Sequence, residues 1–128
     1  MAKRTSIEIP GMGHGAPIPM GSKIGNTLYS SGISGFDCEI GLMPESAEEQ
    51  AVQMFKNVAT LLQQAGSSPE DVIRMTLLMQ DRKDLVAINP EWVKMFPDEH
   101  SRPARHAVEL SARAGIALLQ AEIVAILD

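Results

Sequence analysis

The run Arg102-Pro103-Ala104-Arg105-His106-Ala107-Val108-Glu109-Leu110-Ser111 sets a guanidinium near the start of a segment that otherwise reads as a buried strand. Side chains alternate along a strand, so Arg105, Ala107 and Glu109 share one face and His106, Val108 and Leu110 the other. A cation half-sunk in a sheet needs an anionic partner, because an unpaired buried charge is very costly. The planar fork of arginine fits a carboxylate at two points, so that partner is either an internal glutamate or a small bound acid. The last apolar stretch offers an internal one. From Ala117 to Leu127 the odd positions are all apolar, while Gln120 and Glu122 interrupt the even face. If this strand packs near the Arg105 strand, a cation, an amide and a carboxylate meet in one pocket, and an Arg105–Glu122 ion pair is the plain structural alternative to a ligand site.

The other reactive groups carry less. Cys38 is the single cysteine, which excludes an intrachain disulfide and a thiolate metal cluster within one chain. Its neighbours Asp37 and Glu39 raise a thiol pKa, so it reads as an inert surface thiol. His14 sits in a Gly- and Pro-rich loop, within reach of an incoming substrate as acid or ligand or else simply in solvent. His106, opposite Arg105 on its strand, is expected to pack in the core or against a helix, and His100 to lie on the surface.

The elements that must position these groups follow from periodicity. Arg4 to Ile9 alternates weakly as a first strand, and residues 10–17 form a loop. Ile18 to Ile24 and Asn26 to Ser31 read as strands joined by Gly25-Asn26, and residues 32–44 as an exposed turn-rich stretch. Ser46 and Glu49 make a capping box, after which Val52, Phe55, Ala59 and Leu62 recur at helical spacing up to Gly66. Val72 to Met79 is a central strand. Leu85, Ile88, Trp92 and Phe96 follow a helical period that Pro90 interrupts. Asn89 as cap and Pro90 at the first helical position give a short turn and then a second helix, ended by Pro97. The order is three strands, helix, strand, helix and two strands. It predicts an α+β domain with one mixed six-stranded sheet and both helices on one face. The other face keeps apolar residues that call for a partner. Trp92 and the methionines are assigned to core packing.

At 128 residues and 45% hydrophobic composition the chain is one domain with a buried core. Its N-terminus has no apolar leader core, and no stretch approaches the roughly 20 apolar residues that span a bilayer, so a cytoplasmic, soluble protein is expected. The net charge is −5, and the 11 basic residues are scattered. Nucleic-acid binding rests on concentrated Lys and Arg and on stacking aromatics, which one Trp, one Tyr and three Phe scarcely provide.

The motifs taken in order resemble a known family. Gly25-Asn26-Thr27-Leu28-Tyr29-Ser30-Ser31-Gly32 is followed by Glu49-Gln50, Asn57-Val58, Ala65-Gly66, Asp71-Val72, Asn89 and Phe96. Arg102-Pro103-Ala104-Arg105 and Glu122-Ile123-Val124-Ala125 complete the series. From Lys23 to Leu127 the chain is similar to the Rid family, the reactive intermediate deaminases. The resemblance implies a chorismate-mutase-like fold, a homotrimer and a ligand cleft at each subunit interface. It further implies hydrolysis of enamines and imines, such as 2-aminoacrylate and 2-iminopropionate, to a keto acid and ammonia without metal or organic cofactor. Arg105 matches the residue that holds the substrate carboxylate, with Ile18, Ser31, Gly32, Asn89 and Ala107 lining the cleft and Gln120 and Glu122 nearest the chemistry. Three positions depart from the family pattern: Ile18 stands for a common tyrosine, Ala107 for a common cysteine, and Gln120 for a water-activating glutamate. An amide cannot act as a general base. The larger, less polar pocket favours a bulkier imino acid, 2-aminomuconate being one possibility, and Gln120 also admits a protein that binds a keto acid without turning it over.

Overall fold

The computed structural model describes residues 3–13, 15–110 and 117–128; His14, a candidate site residue, lies outside them. The strands are β1 (Thr5–Ile7), β2 (Gly21–Ile24), β3 (Thr27–Ser30), β4 (Ile33–Ser34), β5 (Val72–Met79), β6 (Ala104–Glu109) and β7 (Leu119–Ile126). The helices are α1 (Ala47–Gln64) and α2 (Leu85–Met95). One mixed sheet runs β1-β2-β3-β7-β5-β6, with β4 also paired to β7. All its ladders are antiparallel except β5 with β6, whose parallel pairing uses α2 as the crossover. The sheet therefore has seven strands where the sequence predicts six. The added one is the two-residue β4, and Ile33 within it is fully buried, so the stretch after Gly32 is not all exposed.

The face that the helices cover is set by β7 and β5. Leu119, Ala121, Ile123 and Ala125 pair across the ladder with Met79, Leu77, Met75 and Val72, and all eight are buried. Helix α1 supplies Ala51, Met54, Val58, Leu61 and Leu62 to this layer. Val52 and Ala59, expected in its apolar stripe, are instead exposed. The buried stripe is one position out of phase because two polar residues, Gln50 and Asn57, belong to it. The Gln50 side chain donates to the Pro44 carbonyl at 2.7 Å and accepts from the Leu118 N–H at 2.8 Å. The Asn57 amide donates to the carbonyls of Ser34 and Phe36 at 2.9 and 2.8 Å. Both tie α1 to backbone at and beyond the ends of the strands.

The ends of α1 follow the sequence signals. Ser46 accepts the Glu49 N–H. Past Ala65, Gly66 at φ +75° lets its own N–H reach the Gln63 carbonyl and that of Ser67 the Leu62 carbonyl. Helix α2 departs from them: it begins at Leu85 behind Asp84 and runs through Pro90. Asn89 is not its cap. The carbonyl that Pro90 leaves without an N–H partner is that of Val86, whose 78% exposure is the highest among the large hydrophobic residues described, so the lost bond falls on the solvent side of the helix, where it costs least. Ile88, Trp92 and Phe96 are buried, as the period predicts.

Among the described residues no helix covers the opposite sheet face. Tyr29, Ile126, Leu78 and Val124 lie there, with Tyr29 61% and Ile126 43% exposed. No helix among the described residues is long and apolar enough to cross a membrane.

Candidate functional site

Strand β6 is an edge strand, with only β5 beside it. Its residues pair Arg105 with Met75, Ala107 with Leu77 and Glu109 with Met79, so Arg105, Ala107 and Glu109 point to the helix side. Arg105 is therefore not buried between layers, as the sequence suggests, but exposed at the sheet margin against α2. Its Nη1 donates to the Asn89 side-chain carbonyl at 2.8 Å, and its guanidinium carbon lies 5.0 Å from the centre of the Trp92 indole. Among the described residues it forms no ion pair. Desolvation by the surrounding protein holds its pKa below the usual arginine value, and it stays charged at any physiological pH. A cation held by an amide oxygen and an aromatic face, with no carboxylate, has its anionic place left for another molecule.

The internal ion pair with Glu122 does not form. Glu122 and Gln120 project from the even face of β7, away from the helices, and β5 separates β7 from β6. His106 lies on that same open face and is exposed, not packed in the core. Thr76 stands between His106 and Glu122 in register.

A second cluster forms around Gln120. Tyr29 pairs with Val124 and Ile33 with Ala121, so three residues, Ser30, Ser31 and Gly32, oppose two, Glu122 and Ile123. This one-residue bulge separates β3 from β4. The Ser30 hydroxyl mends the ladder by accepting the Ile123 N–H at 2.8 Å. Ser31 is turned toward the preceding loop, where its hydroxyl donates to the Pro19 carbonyl and its N–H to that of Met20. Ile18, next to Pro19, is about half exposed and precedes β2, which starts only at Gly21. Gly32 lies against Gln120: a Cβ on Gly32 would stand 2.9 Å from the amide oxygen. Only a glycine leaves the amide this position.

The nominated residues thus fall into two groups on opposite sides of one sheet. Arg105, Asn89 and Ala107 occupy the helix side of the β6 margin, and Gln120, Glu122 and the Gly32 that abuts Gln120 belong to the other side, with Ser31 next in the chain to Gly32 and bonded to the loop that holds Ile18. Trp92 belongs with the first group, and sequence reasoning assigned it to the core alone. The signal was present, since Asn89 and Trp92 are three apart on a helix and so share a face.

Residues 19–127 match the family model described as Endoribonuclease L-PSP. A RutC family protein of Aquifex aeolicus is 32% identical over 116 residues, covering 87% of this chain and 93% of that one. The Arabidopsis thaliana protein named Reactive Intermediate Deaminase A, chloroplastic, is 30% identical over 112 residues, which are 87% of this chain and 59% of that longer one. This chain belongs to the Rid family. The crystal structure of E. coli TdcF with bound serine superposes on it with a TM-score of 0.87 at 25% identity, covering 97% of this chain and 99% of that chain.

Two features of this Rid protein lie apart from the nominated residues. A groove of about 870 Å³ runs between the start of β5 and the loop after α2, lined by Val72, Ile73, Phe96 and Arg102 among others. Its arginine is committed to backbone, because Arg102 donates to the Phe96 and Pro97 carbonyls. Cys38 is partly buried, and burial first, then Asp37, pushes its thiol pKa up, which disfavours the thiolate.

Proposed function

We propose that this protein deaminates reactive enamines and imines, converting 2-aminoacrylate, its 2-iminopropionate tautomer or a bulkier imino acid to the keto acid and ammonia. The observation that carries this reading is Arg105, a cation oriented by Asn89 and Trp92 and lacking a carboxylate partner. The family supports it through the deaminase name of the Arabidopsis relative. The two residue groups lie on opposite faces of one sheet, so a complete cleft needs Arg105 of one copy to meet Gln120, Ser31 and Gly32 of another. A homotrimer with a cleft at each interface satisfies that need, and it covers the apolar open face.

The chemistry asks little of the protein. Arg105 fixes the substrate carboxylate and so places the imine carbon. Water adds to the protonated imine, C–O bond formation giving a carbinolamine. A proton then moves from oxygen to nitrogen, the C–N bond breaks, and ammonia leaves as the carbonyl forms. The Gln120 amide can hold the attacking water by hydrogen bonding but cannot take its proton. Ile18 and Ala107 leave the pocket wide and apolar, which favours bulkier imino acids, of which 2-aminomuconate is one candidate. Gln120 is also the observation that favours a second reading, a trimer that holds a keto acid without turnover. RNA cleavage, which the description of the family model suggests, is poorly served by a net charge of −5 with scattered basic residues.

The test follows 2-aminoacrylate generated in situ from serine by a dehydratase. Its loss is expected to accelerate with the protein and not with Arg105→Ala. Activity that survives in Arg105→Ala would sink Arg105 as the carboxylate clamp, and no acceleration by the wild type would sink the deaminase reading for this substrate.

A further inference from the structure

We infer that Trp92 is a positioning residue for the substrate carboxylate, acting through the orientation of Arg105. The inference rests on the reading of Arg105 as the carboxylate clamp and adds what fixes that clamp in space. Arg105 stands on an edge strand with no strand on its outer side. An exposed arginine there would ordinarily sample many rotamers, and its fork would lose entropy on every binding event. Two contacts restrict it. Asn89 takes one Nη1 proton in the guanidinium plane at 2.8 Å, and the Trp92 ring, 5.0 Å away, sets the guanidinium over its face. One contact fixes an edge of the plane, and the other fixes where it lies against α2.

Trp92 is itself packed into the core. It is 8% exposed and meets Phe96 edge-on at 4.8 Å between centroids and 64° between planes. Asn89 and Trp92 both sit on α2, so the helix presents the two restraints as one rigid unit. Helix and clamp are thereby coupled: the indole that anchors α2 in the core also aims the arginine.

The experiment compares Trp92→Phe, Trp92→Leu and wild type by calorimetric titration with pyruvate, a small keto acid, and by turnover of 2-aminoacrylate. Trp92→Phe keeps a ring and is expected to bind within about twofold of wild type. Trp92→Leu keeps apolar volume but loses the π face, and its affinity is expected to fall about five- to tenfold. The loss should appear in KM more than in kcat, because the clamp acts on binding. Combining Trp92→Leu with Arg105→Ala should add no further loss beyond Arg105→Ala alone, as two residues acting through one contact require. Should Trp92→Leu fold poorly, the wild type still decides. The chain has one tryptophan, and its fluorescence must change as pyruvate saturates Arg105. Equal pyruvate affinity in the Leu and wild-type proteins, or an unchanged wild-type spectrum at saturation, overturns the role of Trp92 while leaving Arg105 as clamp. Failure of wild type to bind or turn over any small keto or imino acid overturns the underlying reading instead.

Discussion

An arginine offers five N–H donors, and Asn89 claims one of those on Arg105. The rest are free to meet a carboxylate at two points, which fits a small acid better than a diffuse anionic surface. On the proposed reading, the residue that would limit the rate is Gln120. Restoring a carboxylate through Gln120→Glu supplies a general base at the same place, and turnover of 2-aminoacrylate is expected to rise by about 10²-fold, measured as kcat with KM little changed. The gain depends on Gly32. In a Gly32→Ala background the new methyl, 2.9 Å from the position-120 head group, displaces it, and steady-state kinetics should show part of the gain lost.

At the scale of elements, α2 is the piece that holds the partners of the clamp, Asn89 and Trp92, and its start is electrostatically uncomfortable. Burial first, then the neighbouring charge of Asp81, raises the pKa of Asp84 despite the opposing effect of Lys83. A carboxyl whose folded pKa exceeds its unfolded value holds its proton more tightly in the native state. Its stabilising contribution is full below the unfolded pKa and is lost as pH rises through the folded one. Asp84→Asn is therefore expected to raise the thermal midpoint at pH 7, with the gap to wild type closing as pH falls through the carboxylate range. Scanning calorimetry at a series of pH values measures this. How far such elements are legible in a sequence depends on what breaks the symmetry of the pattern. The odd face of β7 is uniformly apolar and its direction is unambiguous. On β6 the alternation separates two faces without saying which meets the helices. Val108 and Leu110 make the His106 side look like the core, yet that side faces the open surface, which mixes apolar residues such as Leu78 and Val124 with polar ones. The phase of α1 was hidden because Gln50 and Asn57 are buried for their hydrogen bonds, and Pro90 imitates a helix start because its missing N–H costs little opposite an exposed carbonyl. Arg105 was legible as a residue, but its surroundings required the topology.

The whole molecule is where the two groups of site residues must be joined. If each cleft takes Arg105 from one copy and Gly32 with Gln120 from its neighbour, two inactive variants complement each other. Arg105→Ala and Gly32→Trp, each inactive alone, are expected to recover about a quarter of wild-type activity when dissociated, mixed equally and reassociated as cyclic trimers. The activity of the mixture measures this, and no recovery would place both groups in one copy. The position of β6 at the sheet margin carries a further consequence. A six-residue edge leaves a row of unpaired N–H and C=O groups able to template another strand. Its charged side chains, Arg105 and Glu109, discourage such pairing, as does Pro103 just before it. The residue that would hold the substrate thus also blunts an exposed strand edge, so Arg105→Ala is expected to carry a solubility cost, read as increased light scattering during refolding.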